Sequence, residues 1–293
     1  MPIPVPVPPD ARARAWIASA VHPAGRVVSV RRLKGGISAA VHAVRVAHPA
    51  GATTVVVRRW VATPGGGDEV RREARVLSQL ALRFAPELLA VDEDGSLGDV
   101  PAVVMTRLPG RVVLATDEDY LRRLAAVLPE IHALTVDVPP YESWFTEADV
   151  PAWAERPDLW REAFRVHAAR SPSVDTCVVH RDFQHFNVLW SRGRVCGVVD
   201  WVWASRGSPD VDVAHERLNL ALLHSVDVAE QFRRAYEAEA GRTVDPWWDV
   251  HETLSYLPGW GHYLATQVNS VLPVDLAGMP ARVEALLAAV LAR

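Results

Sequence analysis

The residues from Val178 to Trp203, VVHRDFQHFNVLWSRGRVCGVVDWVW, hold the groups best able to do chemistry. Two apolar runs, Asn187 to Trp190 and Val195 to Val199, flank Ser191-Arg192-Gly193-Arg194. A polar turn with glycine between short Val-rich runs predicts a β-hairpin. Asp182 and Asn187 stand before or at its first strand, and Asp200 closes its second. Because a hairpin brings its open ends together, these three side chains are expected to converge. Two carboxylates and a carboxamide are hard oxygen ligands, which suit Mg²⁺ better than zinc or iron. Magnesium keeps waters and completes its shell with substrate phosphates. The stretch therefore predicts a metal–nucleotide site in which one carboxylate is left to take a hydroxyl proton.

His180-Arg181-Asp182, Asn187 and Asp200-Trp201 together resemble the catalytic and metal loops of the protein-kinase-like fold, closest to the aminoglycoside phosphotransferase and choline kinase group of small-molecule kinases. The resemblance implies an α+β, two-lobed chain. Residues 1–108 would form a nucleotide-binding lobe of antiparallel strands and one helix, and residues 109–293 a helical lobe for catalysis and the acceptor. It implies ATP and Mg²⁺ as cofactors, with Asp182 as base and Asn187 and Asp200 as metal ligands. His180 would order the loop, and Asp212 would brace it near a helix start. The group commonly has Gly after the first His and His-Pro-Gly before Asn. Here those positions are Arg181 and Gln184-His185-Phe186, so the lining is bulkier.

The elements that must position these groups can be read upstream. Asp10 to Val21 is a short helix with an Asp cap. Val27 to Leu33, Ala40 to Ala47 and Thr53 to Trp60 read as strands. Between the first two lies Lys34-Gly35-Gly36-Ile37-Ser38, where glycines let backbone N–H groups approach phosphate oxygens. An ordinary hairpin turn reads the same way, but the resemblance favours a phosphate-covering role for Gly35, Gly36 and Ser38. Arg58 and Arg59 point to opposite faces of their strand, and the resemblance puts a phosphate-pairing cation there. Arg58 aligns best, and Arg59 is the alternative. In the helix from about Asp68 to Leu82, Glu73 sits on the inward stripe with Val70 and Leu77 and is the natural partner of Arg58. Glu69 is the other candidate. Leu88 to Val91 and Ala102 to Leu108 read as strands, and adenine is expected against the backbone of Thr106 to Leu108, with Met105 near the ring.

From Asp117 the chain reads as helical, with LRRLAAVLPEIHAL as one amphipathic stretch. Trp144, Glu147, Asp149, Trp153, Glu155 and Trp160 are a candidate acceptor region, since tryptophan faces and acids suit a cationic amine. A tryptophan-bearing solvated helical hairpin fits equally.

Net charge is −4 over 293 residues, which gives no argument for nucleic acid or an anionic membrane. No apolar run reaches membrane-spanning length. The start MPIPVPVPPD reads as a proline-rich leader rather than a signal peptide. Cys177 and Cys196 form no CxxC pair and read as reduced, buried and structural. A cytoplasmic, ATP-dependent phosphotransferase is expected, acting on a hydroxyl of an aminoglycoside-type antibiotic, with a resistance role, or of a related amine-bearing compound. A metabolite kinase and a catalytically silent nucleotide-binding module are the alternatives.

Overall fold

The structure, a computed structural model, describes residues 8–33, 39–60, 66–145, 149–169, 172, 175–256, 260–268 and 270–293. The turn carrying Gly35, Gly36 and Ser38 lies outside the described residues, as does Glu147. The chain is mixed α+β and divides into two compact units, Met1–Gly110 with Cys196–Trp203, and Arg111–Val195 with Ala204–Arg293.

In the first unit, α1 (Ala11–Val21) begins at Asp10, whose carboxylate accepts the Ala13 N–H at 2.8 Å. Strands β1 (Arg26–Arg32), β2 (Ala40–His48) and β3 (Gly51–Arg59) lead to α2 (Gly66–Leu77), then β4 (Leu88–Asp92) and β5 (Ala102–Thr106). They form one sheet in the order β1-β2-β3-β5-β4. Val44, Val46, Val55, Val57 and Val104 bury one of its faces against Ile17 and Ala18 of α1. Strand alternation sends Arg59 to that same face and Arg58 to the other. Helix α2 stops at Leu77, short of the expected Leu82. The side chains of Ser78 and Gln79 both donate to the Arg75 carbonyl, at 2.9 and 2.8 Å. Such local bonds compete with continued helix.

In the second unit, the single helical stretch expected after Asp117 is two helices, α3 (Glu118–Ala125) and α4 (Val127–His132). Pro129 is the reason, because it lacks an N–H and its ring crowds the carbonyl four residues back, at Ala125. The short β6 (Arg111–Val112) precedes them, and α5 (Pro157–Ala169) and β7 (Cys177–Val179) follow. A 3₁₀ turn over His185–Asn187 runs into β8 (Val188–Ser191), which pairs antiparallel with β6. Arg192 and Gly193 have φ of 52° and 70°. Positive φ at both central residues is the two-residue hairpin turn whose twist matches its strands, and the chain leaves it as β9 (Arg194–Val198). Residues 196–203, with a 3₁₀ turn at Trp201–Trp203, belong to the first unit, and the chain returns to the second at β10 (Ser205–Gly207), which pairs with β7. Helices α6 (Pro209–Leu223), α7 (Val226–Ala240), α8 (Pro246–Leu254), α9 (Trp260–Val268) and α10 (Met279–Leu291) complete the unit. Helix α6 packs against α7, α8 and α10. It is buried on all sides, with every residue from Asp210 to Leu222 inside.

The cysteines differ from expectation. Both are free thiols but only half-buried. Cys196 Sγ donates to the Pro109 carbonyl at 3.0 Å.

Candidate functional site

In the first unit, alternation along β3 decides which arginine meets α2. Arg58 Nη1 donates to Glu73 Oε1 at 2.6 Å and to Asp200 Oδ1 at 2.7 Å. Arg58 and Glu73 are 5% and 1% exposed, so the pair is dry. Burial opposes the arginine charge, but Asp200 and Glu73 raise its pKa above the ordinary guanidinium value. Burial pushes the Glu73 carboxyl up despite Arg58. The Arg58 guanidinium also lies 5.1 Å from the Trp60 ring centre, while Nε and Nη2 have no hydrogen-bond partner among the described residues. Asp200 sits at φ 71°, a left-handed conformation that Asp tolerates better than most residues. The Trp201 indole donates to the Val198 carbonyl at 2.9 Å and anchors the residues beside it.

The alternatives left open by the sequence separate here. Arg59 bonds Asp99, at 3.1 Å from Nε and again through Nη2. Glu73 rather than Glu69 makes the ion pair with Arg58. Met105 is buried in β5 opposite Val56. The Thr106 N–H donates to the Glu87 carbonyl at 2.9 Å, and its hydroxyl accepts the Glu87 N–H at 2.9 Å. Both groups are therefore engaged within the protein. Leu108 lies past the end of β5 and is half-buried.

In the second unit, the loop between β7 and β8 is held by α6. Asp212 accepts the N–H of His180 at 2.8 Å and of Arg181 at 2.7 Å. Its Oδ2 also lies 3.2 Å from His132 Nε2. Burial opposes the Asp212 charge, yet the His132 contact and the His180 N–H leave its pKa lowered. The brace lets Arg181 sit at φ 69°. One turn along α6, Glu216 accepts the His185 N–H at 2.9 Å and contacts its ring Nδ1 at 2.8 Å. That fixes the 3₁₀ turn presenting Asn187. Asn187 Nδ2 donates to the Asp182 carbonyl at 3.0 Å and lies 3.4 Å from Asp182 Oδ2. Asp182 and Asn187 are thus side by side. The Asp182 side chain is 19% exposed and that of Asp200 27%, which leaves each open to a ligand.

Several residues here escaped the sequence reading. His215 on α6 lies 3.4 Å from Asp182 Oδ1 through Nε2 and 3.0 Å from Glu252 Oε2 through Nδ1. Arg181 Nη1 is 3.4 Å from Glu252 Oε1. Burial would lower the His215 pKa, but Asp182 and Glu252 push it up to about 9. Burial would raise that of Glu252, but Arg181 and His215 bring it down to about 2. The available signal was polar residues at positions i, i+3 and i+4, Asp212, His215 and Glu216, on one helix. Trp160, read as an acceptor-region residue, is core, and its indole donates to Glu284 at 2.9 Å.

The strand sheet with its Arg58–Glu73 pair and the braced Asp182–Asn187 loop define a protein-kinase-like α+β fold of the small-molecule phosphotransferase kind. Residues 29–249 match the model of the phosphotransferase enzyme family (APH), and the chain belongs to that family. Solved structures share the fold. Macrolide 2'-phosphotransferase MphH from Brachybacterium faecium is 20% identical, with a TM-score of 0.59 over 96% of this chain and 98% of that one. A thermostable aminoglycoside phosphotransferase APH(4)-Ia variant, crystallised with AMP-PNP and hygromycin B, is 18% identical, with a TM-score of 0.60 over 95% and 98%. LicA in complex with AMP is 17% identical, with a TM-score of 0.60 over 95% and 96%. Among curated proteins, mouse (Mus musculus) acyl-CoA dehydrogenase family member 10 is 23% identical over 230 residues, 67% of this chain. The match spans 21% of that protein's length. Among the described residues, no helix is long and apolar enough to cross a membrane.

Two predictions follow from the buried charges. Arg58→Met leaves Glu73 buried without its partner and should cost about 3–5 kcal/mol in denaturant unfolding. Adding Glu73→Leu should restore much of the loss, and an unchanged midpoint in Arg58→Met would contradict the pairing. For His215, a folded pKa raised from 6.5 to about 9 adds stability that is complete below 6.5 and lost as pH rises through 9. The melting-temperature gap between wild type and His215→Gln should therefore narrow over that interval. A gap that stays constant or widens would contradict a charged, paired imidazole.

Proposed function

We propose that the chain transfers the γ-phosphate of ATP to a hydroxyl of a small molecule. One observation carries the reading: a partly exposed carboxylate, Asp182, stands beside Asn187 on a loop whose backbone is held by a buried acid. The acceptor oxygen forms a bond to the γ-phosphorus, the bond from that phosphorus to the β-phosphate bridging oxygen breaks, and ADP leaves. The hydroxyl proton passes to Asp182. Asp182 also orients the hydroxyl, and most of the acceleration is positioning, because a loose transition state asks little covalent work of the protein.

Asn187 and Asp200 offer the hard oxygens that magnesium prefers, and on this reading they are its protein ligands. When bound, magnesium screens the charge on the phosphates. Arg58, set by Glu73, steadies the phosphates, and the backbone near Leu108 meets adenine with Met105 at the ring. Gly35, Gly36 and Ser38, outside the described residues, are assigned the phosphate-covering role on the family resemblance alone.

The acceptor is a hydroxyl compound, either an aminoglycoside-type antibiotic or a metabolite such as an amino alcohol or sugar amine. One observation favours the metabolite. Glu252, linked to Asp182 through His215, lies 3.4 Å from Arg181 and 3.0 Å from His215, and these partners offset the charge it would offer a polycation.

ADP release from MgATP across a panel of hydroxyl compounds tests the reading. Asp182→Asn should lose about 100-fold or more in turnover, while calorimetry shows nucleotide binding intact. Equal ADP release from Asp182→Asn would remove Asp182 as the base. Nucleotide binding by the wild type without transfer to any acceptor would favour the silent module.

A further inference from the structure

His215 is fully buried on α6 and stands between two carboxylates, Asp182 and Glu252. Its Nδ1 contacts Glu252 Oε2 at 3.0 Å, and Glu252 in turn takes Arg181 at 3.4 Å. The guanidinium of Arg181 is clamped on its other side, 3.6 Å from the Trp144 ring centre and 5.0 Å from that of Tyr141. The rings of Trp144 and Trp260 stand edge-on to the imidazole, with centres 5.7 and 5.8 Å away. These contacts leave the imidazole little freedom to tilt or slide. Its remaining nitrogen, Nε2, lies 3.4 Å from Asp182 Oδ1, and the Gln184 amide, 3.0 Å from Nε2, donates to Oδ1.

The two oxygens of Asp182 are therefore not equivalent. Oδ1 faces His215 and Gln184, and among the described residues Oδ2 faces the Asn187 amide, at 3.4 Å. A free aspartate turns about two side-chain torsions and presents either oxygen. Held at Oδ1, it presents one.

We propose that His215, fixed by Glu252 and Arg181, is a positioning residue for Asp182, gripping Oδ1 so that Oδ2 is the oxygen that receives the acceptor proton. The role rests on the phosphotransferase reading above. It also gives a reason for Arg181, the residue where the related kinases commonly have glycine. Arg181 neutralises Glu252, and Glu252 orients the imidazole. An ionised carboxylate beside Asp182 would otherwise repel it, and the cation at His215 separates the two acids.

The test uses the full chain with MgATP and the hydroxyl panel, reading ADP release. His215→Phe keeps the ring and its contacts with Trp144 and Trp260 but removes both nitrogens. It should lower kcat roughly 10- to 100-fold, the scale of a misplaced reacting group, while KM for ATP stays within about twofold. His215→Gln, which can still donate to Oδ1, should recover most of that loss. Side-chain ¹⁵N resonances of His215 supply a readout independent of turnover, and Asp182→Asn should shift Nε2 more than Nδ1. A wild-type kcat in His215→Phe, or no response of Nε2 to Asp182→Asn, would overturn the inference. So would a loss in His215→Phe expressed in KM for ATP alone. Failure of the broader reading looks different, since the wild type itself would then release no ADP with any acceptor. That result would remove the base and its positioning residue together.

Discussion

One buried carboxylate holds the loop that carries the chemistry. Asp212 is 0% exposed, yet it accepts two consecutive backbone N–H groups, from His180 and Arg181. Burying a carboxylate is expensive unless it is well bonded, and hydrogen bonds to a charged acceptor are worth about 1.5–3 kcal/mol each. A non-glycine residue in the left-handed region costs only about 1–2 kcal/mol. The two bonds therefore outweigh the strain at Arg181, and the loop can take a path it would not choose alone. That path sets Asp182 beside Asn187.

Helix α6 works as a ruler for this loop. Residues three and four apart share a helix face, so Asp212, His215 and Glu216 reach the loop at three places. Asp212 takes the backbone before Asp182, His215 meets the carboxylate itself, and Glu216 takes the backbone before Asn187. A helix buried all round would be more stable with apolar residues at such positions, since buried ion pairs rarely outperform good apolar packing. Three charged groups kept on one face of it point to positional control over the loop. In the first unit Arg58 does the comparable work, joining α2 to the residues around Asp200 from inside a β-sheet face.

What the sequence disclosed was local. The hairpin followed from the polar Ser191-Arg192-Gly193-Arg194 turn between two short apolar runs. The choice between Arg58 and Arg59 needed one added fact, namely which strand face α1 covers, and alternation then settled the rest. Glu73 was legible because its spacing from Val70 and Leu77 placed an acid on an apolar stripe. The Glu252–His215–Asp182 chain was not legible, since its members lie 37 and 33 positions apart and only the fold brings them together. Pro129 was visible, but its power to break the helix was outweighed in the reading by an unbroken apolar stripe. Trp160 shows the reverse error, in which residue type suggested a binding face and packing made it core.

Amide hydrogen exchange at His180, Arg181 and His185 measures the brace most directly. In the wild type these three N–H groups should exchange slowly, as buried and bonded donors do. In Asp212→Asn, exchange at His180 and Arg181 should accelerate by at least about tenfold, given the worth of a bond to a charged acceptor, while His185 and the amides of α7 and α10 keep their protection. Unchanged exchange at His180 and Arg181 would contradict the account, because the loop would then hold its shape without the buried acid.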